Sequence, residues 1–342
     1  MDSTPLLIGS DSLPGPTVLQ DHIINQPVFL RASHSPWFCI PQNVLVFFRG
    51  LILAYLVATG CLILNYELTE DTTLSNYRLF FGFAIISFVL VLLYYIITFC
   101  WTFTHLYYPD VEEVDGRLEW IIISMMSLPR NLASLRKQFY FSLFYTTTVV
   151  FAFMNTVIYW FITRPHDIET APGDKAPDDN NPGGNLHNGD EAKNGDASGG
   201  ELWRVGGYLV SGTPFSDIFG QGWFKSFCIL NLYGIMAIIM IIEILFLNSI
   251  KRPFSIYAHI FSLLVLAGLF LAWAAIGRAA TGVYSFFWLD PQEVGSQEAV
   301  AAYCIGFVFL APISFIFMQG FVGIRESLTR PRVILQAAPL EA

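Results

Sequence analysis

The stretch LFFGFAIISFVLVLLYYIITFCWTF, Leu79 to Phe103, runs for 25 residues without one acidic or basic side chain. At the rise of a helix, about 20 such residues cross the roughly 30 Å of bilayer hydrocarbon. In lipid the backbone must bond to itself, so the run is read as a transmembrane helix. Five further segments meet the same length test: Val44 to Leu64, Phe139 to Ile162, Phe224 to Leu247, Ser255 to Ile276 and Val300 to Phe321. The fold class that follows is all-α, a polytopic membrane bundle of about six transmembrane helices. Trp120 to Leu128 is too short to span and stops at Pro129-Arg130, which suits a helix lying in the interface. Trp37, Trp101, Trp160, Trp223 and Trp288 fall near span ends, where aromatic rings settle at headgroup depth.

Composition agrees. Of the 342 residues 54% are hydrophobic and only 13% charged, against about a quarter charged in soluble domains. The net charge of −9 gathers mainly in one loop, and no basic stripe exists to neutralise phosphates, so nucleic acid is not an expected partner. Membrane lipids are; protein partners stay open. Of the five cysteines four lie inside spans and Cys39 lies just before the first, so no structural disulfide is expected. The polar, proline-bearing first 40 residues lack the pattern of a cleaved signal peptide, leaving the first span as a signal anchor.

The chain divides into a cytosolic tail (1–43), a first three-helix half (44–162) with a cytosolic loop (104–138), an exoplasmic loop (163–223), a second three-helix half (224–321) and a cytosolic tail (322–342). Orientation rests on basic residues. With both termini cytosolic, ten Lys and Arg face that side and seven the other. Within the long loop, 164–200 is rich in glycine, proline and acid and is expected to be disordered, whereas Leu202 to Trp223 regains apolar residues and is expected to pack on the exoplasmic face. Near the N-terminus, Asp2-Ser-Thr-Pro-Leu6-Leu7 has the form of an acidic dileucine signal, a hint of endomembrane, vacuolar or endosomal sorting.

Charges inside spans are expensive, by about 3 kcal/mol or more near the bilayer centre. Arg49 sits early in the first span and Glu243 late in the fourth, at the same depth of one leaflet. They either pair, or Arg49 snorkels alone. Tyr94, Thr98, Trp101 and His105 share one face of the second helix, and Tyr145, Thr148, Ala152, Asn155 and Tyr159 one face of the third. His259 begins the fifth span and Gln319 comes late in the sixth. These groups either line a pocket or act as interhelical glue. No G-x-S-x-G, H-E-x-x-H, P-loop or paired C-x-x-C occurs, the histidines are scattered, and no metal or cofactor is implied.

The run Asn231-Leu-Tyr-Gly, then Glu243, Pro253, His259, Ala272-Trp-Ala and Thr281-Gly-Val-Tyr-Ser-Phe-Phe-Trp-Leu-Asp290-Pro resembles one superfamily of multi-pass proteins. It includes the androgen-induced lipid hydrolases and the rolling-stone proteins, and its fungal members look closest. The likeness covers Phe224 to Gln319, with support from Ser35-Pro-Trp, Ile40-Pro-Gln42 and Trp101 to Leu106. For the hydrolase branch the resemblance implies an intramembrane threonine and histidine that cleave fatty-acid esters of hydroxy fatty acids. That branch carries its histidine at the start of helix four, where this chain has Asn231, with Tyr233 nearby. Three functions therefore compete: a lipid-related or scaffold role, an intramembrane hydrolase drawing on Thr98 or Thr148 with His105 or His259, and a small transporter or channel using Arg49 and Glu243. Whether the chain is an enzyme stays open at this point.

Overall fold

Residues 27–37, 39–70, 76–108, 116–129, 134–166, 204–205, 208–209, 223–253 and 255–329 are described by the structure, a computed structural model. Six of its helices are long and apolar enough to cross a membrane, and the protein is an integral membrane helix bundle. A short helix α1 (Val28–Ser33) precedes α2 (Gln42–Glu70). Then come α3 (Phe83–Tyr107), the short α4 (Arg117–Met126) and α5 (Leu135–Ile158), which continues through a π-helical turn at Tyr159–Thr163. The second half holds α6 (Trp223–Leu247), α7 (Ile256–Thr281) and α8 (Gln297–Thr329). Between the halves, Arg204–Val205 pairs antiparallel with Tyr208–Leu209.

The centre belongs to α5, which packs against α3, α6, α7 and α8, while α2 lies on α3. Its sequence dictates that place. A span with three consecutive threonines and an asparagine loses least where those groups face protein, and every residue from Tyr145 to Asn155 is buried. Thr146, Thr147 and Thr148 each donate to the carbonyl four residues back, at 2.7, 2.8 and 2.9 Å, which satisfies the hydroxyls inside their own helix. Phe47, Phe261 and Ile316, by contrast, stand exposed on outer faces, as lipid-facing residues do.

Helix ends overrun the apolar runs, because backbone hydrogen bonding continues past the hydrocarbon boundary. Three corrections follow. The sixth span does not stop at Phe321; α8 continues to Thr329 and carries Arg325 into the core at 2% exposure. The segment assigned to an N-terminal tail through residue 43 includes α1, whose Phe29, Ala32 and Ser33 are buried against the bundle. Trp101 and Trp288 turn inward instead of marking headgroups: Trp101 packs on Phe29 and Phe141, and Trp288 stacks on Phe286 at 4.7 Å. The short α4 exposes Leu118, Ile122 and Met125, consistent with a helix lying on a surface. The Asp2–Leu7 motif, the expected disordered stretch from 167 on, most of Leu202–Trp223 and residues 330–342 lie outside the described residues.

At the opposite end from α1, Gly277 of α7 meets the turn before α3. A Cβ there would sit 2.5 Å from the Phe81 ring. Gly277→Leu is therefore expected to lower stability by about 1–3 kcal/mol through overpacking, read as a lower thermal midpoint in detergent. The next residue to need glycine is Gly282, which closes α7 in the left-handed region at φ 76°.

Candidate functional site

The polar site is built around the C-terminal end of α6. A helix ends with four carbonyls that have no intrahelical donor and with a partial negative charge. Here a π-helical turn, Glu243–Leu247, closes the helix, and four side chains from three other segments take up its carbonyls. Arg325 Nη1 donates to Ile244 at 3.0 Å, Trp37 Nε1 to Leu245 at 2.8 Å, Ser35 Oγ to Phe246 at 2.7 Å and Arg49 Nη2 to Leu247 at 2.9 Å. Arg325 also donates to the carbonyls of Asn248 and Ile250 and to Asn248 Oδ1.

Arg49 and Glu243 do pair. Nη2 lies 3.0 Å from Oε1, and both side chains are 0% exposed. The same Oε1 accepts the Tyr94 hydroxyl at 2.9 Å. Arg49 further donates to the Thr102 hydroxyl and, at 2.6 Å, to the Ala32 carbonyl of α1. The Asn248 amide donates to the Tyr145 hydroxyl at 3.1 Å. Two guanidiniums thus face one carboxylate and one helix C-terminus, whose dipole supplies part of the missing negative charge. Five spans meet here: α2, α3, α5, α6 and α8. Arg325, Asn248 and Thr102 were not singled out by sequence. Arg325 lay beyond the apolar run, and the only available signal was its place one helical face on from Met318 and Val322, both buried.

A second cluster sits at the other π-helical turn, Asn231–Ile235. Asn231 accepts the Tyr55 hydroxyl and donates to its own helix at Phe227, 2.8 Å. The turn frees the carbonyls of Leu232 and Tyr233, which accept Asn155 at 2.8 Å and Trp160 at 3.0 Å from α5. Tyr159 stacks on Tyr233 with ring centroids 4.0 Å apart.

The catalytic candidates do not converge. Thr98 and Thr148 give their protons to the carbonyls of Tyr94 and Phe144, both at 2.9 Å. The His105 ring packs edge-on against His34, whose Nδ1 donates to the Leu30 carbonyl. Burial lowers the His34 pKa and nearby Arg49 lowers it further, against the raising effect of the Leu30 carbonyl. His259 is buried on α7 with Nδ1 2.9 Å from the Ser255 carbonyl and Nε2 3.1 Å from Ser142 Oγ. Among the described residues no three His, Cys, Asp or Glu side chains gather as metal ligands, and all five cysteines are free thiols. No family model, no curated protein and no solved structure matches this chain.

Proposed function

We propose that the chain is a lipid-associated, scaffold-type integral membrane protein of the androgen-induced hydrolase and rolling-stone superfamily. In this reading the Arg49–Glu243–Arg325 cluster fastens the helices together and handles no substrate. One observation carries it: among the described residues Arg49 and Glu243 form an enclosed ion pair, and Arg49 and the buried Arg325 are spent on backbone carbonyls. A transport site has to be reached from one side of the membrane, and an enclosed ion pair is not. The threonine–histidine hydrolase finds no support either, since Thr98 and Thr148 are tied to their own helices and Asn231 is tied to Tyr55 and Phe227. The basic-residue count supports both termini in the cytosol, and the Asp2–Leu7 motif supports an endomembrane address.

The test is purified protein in liposomes carrying an internal pH-sensitive dye, wild type beside Glu243→Gln. Proton flux equal to that of empty vesicles, with Glu243→Gln lowering thermal stability, is the expected result. A wild-type flux that Glu243→Gln abolishes in equally stable protein would replace this reading with the transporter.

A further inference from the structure

At the end of the bundle opposite α1, a cleft of about 500 Å³ lies between α7 and its connection to α8. That size falls in the range of small-ligand sites, about 300–1,000 Å³. Leu271, Ala274, Ala275 and Arg278 form one wall, and their helical spacing sets them in a single stripe along α7. Tyr284 and Leu289 of the connection form the other. The alanines leave the space, because a methyl group is too short to fill it. Ala275 and Ala279 are exposed, so the cleft opens on the outer surface of the bundle.

The stripe is apolar except at one end. Arg278 lies in the last turn of α7, and its guanidinium stands 4.0 Å from the centre of the Tyr284 ring. That cation–π contact keeps the charge at the mouth of the cleft. Among the described residues no carboxylate lies within ion-pair reach of it. The acids of the neighbouring connection are engaged elsewhere: Asp290 accepts from the Gln292 amide at 2.9 Å, and Glu293 lies 4.0 Å from His166.

A cation at one end and about 10 Å of apolar wall below it, from Arg278 to Leu271 at helical rise, repeat the layout of a membrane lipid. Arg278 lies near the end of a span and so at headgroup level, while Leu271 lies about two turns deeper, among acyl chains. A guanidinium offers two parallel N–H donors to two phosphate oxygens, and it is hydrated weakly enough to do so at the edge of hydrocarbon. The leaflet itself presents phosphodiesters at that level, which favours phospholipid over a ligand that has to arrive from water. With no acid beside Arg278, a headgroup of net negative charge neutralises it, whereas choline would bring a second cation to the site.

We propose that the α7 cleft is a binding site for one anionic glycerophospholipid, with the phosphate on Arg278 and one acyl chain laid along Ala275 and Ala274 toward Leu271. No bond is made or broken there. The lipid would brace the connection between α7 and α8 against α7, as a ligand shared by both walls. The site lies at the far end of the bundle from Arg49, Glu243 and Arg325, so it adds a ligand to the protein and does not rest on the scaffold reading.

The experiment is native mass spectrometry of the full-length protein, stripped of lipid in detergent and titrated with phosphatidylglycerol or with phosphatidylcholine of the same acyl chains. Wild type is expected to hold one phosphatidylglycerol about five- to tenfold more tightly than phosphatidylcholine, the worth of one cation at a membrane surface. Arg278→Gln is expected to erase that preference and Arg278→Lys to keep part of it. Ala275→Leu, which fills the cleft, is expected to weaken the binding of both lipids. Both side chains are exposed, so all three variants should fold, with lipid-free thermal midpoints close to that of wild type. Equal retention of the two lipids by wild type, or a preference that survives Arg278→Gln, would overturn the site and leave Arg278 as a cation complementing the dipole of its own helix. Binding indifferent to Ala275→Leu would overturn the placing of the acyl chain. Displacement of phosphatidylglycerol by an equal concentration of oleate would overturn the choice of a phosphate ligand. The liposome flux result is independent of all these outcomes, so either reading can fail alone.

Discussion

Glu243→Ala is expected to destabilise the folded protein by about 3–5 kcal/mol, the cost of leaving one partner of a buried ion pair uncompensated. Arg49 would stay enclosed, because its other Nη bonds run to Ala32, Leu247 and Thr102 and hold it in place. The Tyr94 hydroxyl would lose its acceptor as well. Glu243→Gln should cost less, since an amide oxygen can still accept from Tyr94 and from Arg49. Reversible unfolding in mixed micelles reads the difference. In a double-mutant cycle with Arg49→Met, the coupling should exceed the roughly 0.6 kcal/mol average of polar contacts between membrane helices. Full rescue by the double variant is not expected, because Arg49→Met strands the carbonyls of Ala32 and Leu247. A cycle showing no coupling would remove the ion pair from the account of stability.

Arg325→Ala is expected to cost at least about 3 kcal/mol, since it strands several buried carbonyl acceptors at about 1–3 kcal/mol each. Those of Ile244, Asn248 and Ile250 all depend on its two Nη atoms. Arg325→Lys should recover only part of the loss. One ammonium cannot reach both arms of a site that a planar fork spans. Truncation after Phe321 makes the same point with the backbone. If residues from 322 on were a tail, their removal would leave the thermal midpoint unchanged. Because Arg325 closes the end of α6, truncation should instead lower the midpoint as much as Arg325→Ala or more. Equal stability of the truncated and intact proteins would show the Arg325 bonds to be dispensable.

The bundle itself was legible in the chain because hydrocarbon thickness imposes a length. Uncharged runs such as Leu79 to Phe103 admit one structure, and all six reappear as helices. Periodicity also placed the polar stripes. Tyr94 and Thr98 on α3, and Tyr145, Thr148 and Asn155 on α5, all turn inward, since a polar face cannot be left in lipid. Shared depth made Arg49 and Glu243 a candidate pair before any geometry was known.

Tertiary structure decided the rest, for reasons of distance along the chain. Arg325 stands 81 residues from the carbonyl of Ile244 that it caps, and Ser142 stands 117 residues from His259. Neither period nor composition carries that information. The sequence looked for a threonine to join His259, yet helix-borne threonines return their protons to their own backbone. The hydroxyl left over was a serine one turn earlier on the central helix. Which hydroxyls bond within their own helix and which reach a neighbouring one depends on how α5, α6, α7 and α8 are packed. The sequence by itself determined that this protein lives in a membrane as six helices; only the packing of those helices decided that Arg49, Glu243 and Arg325 meet at the end of α6 and that Ser142 meets an imidazole.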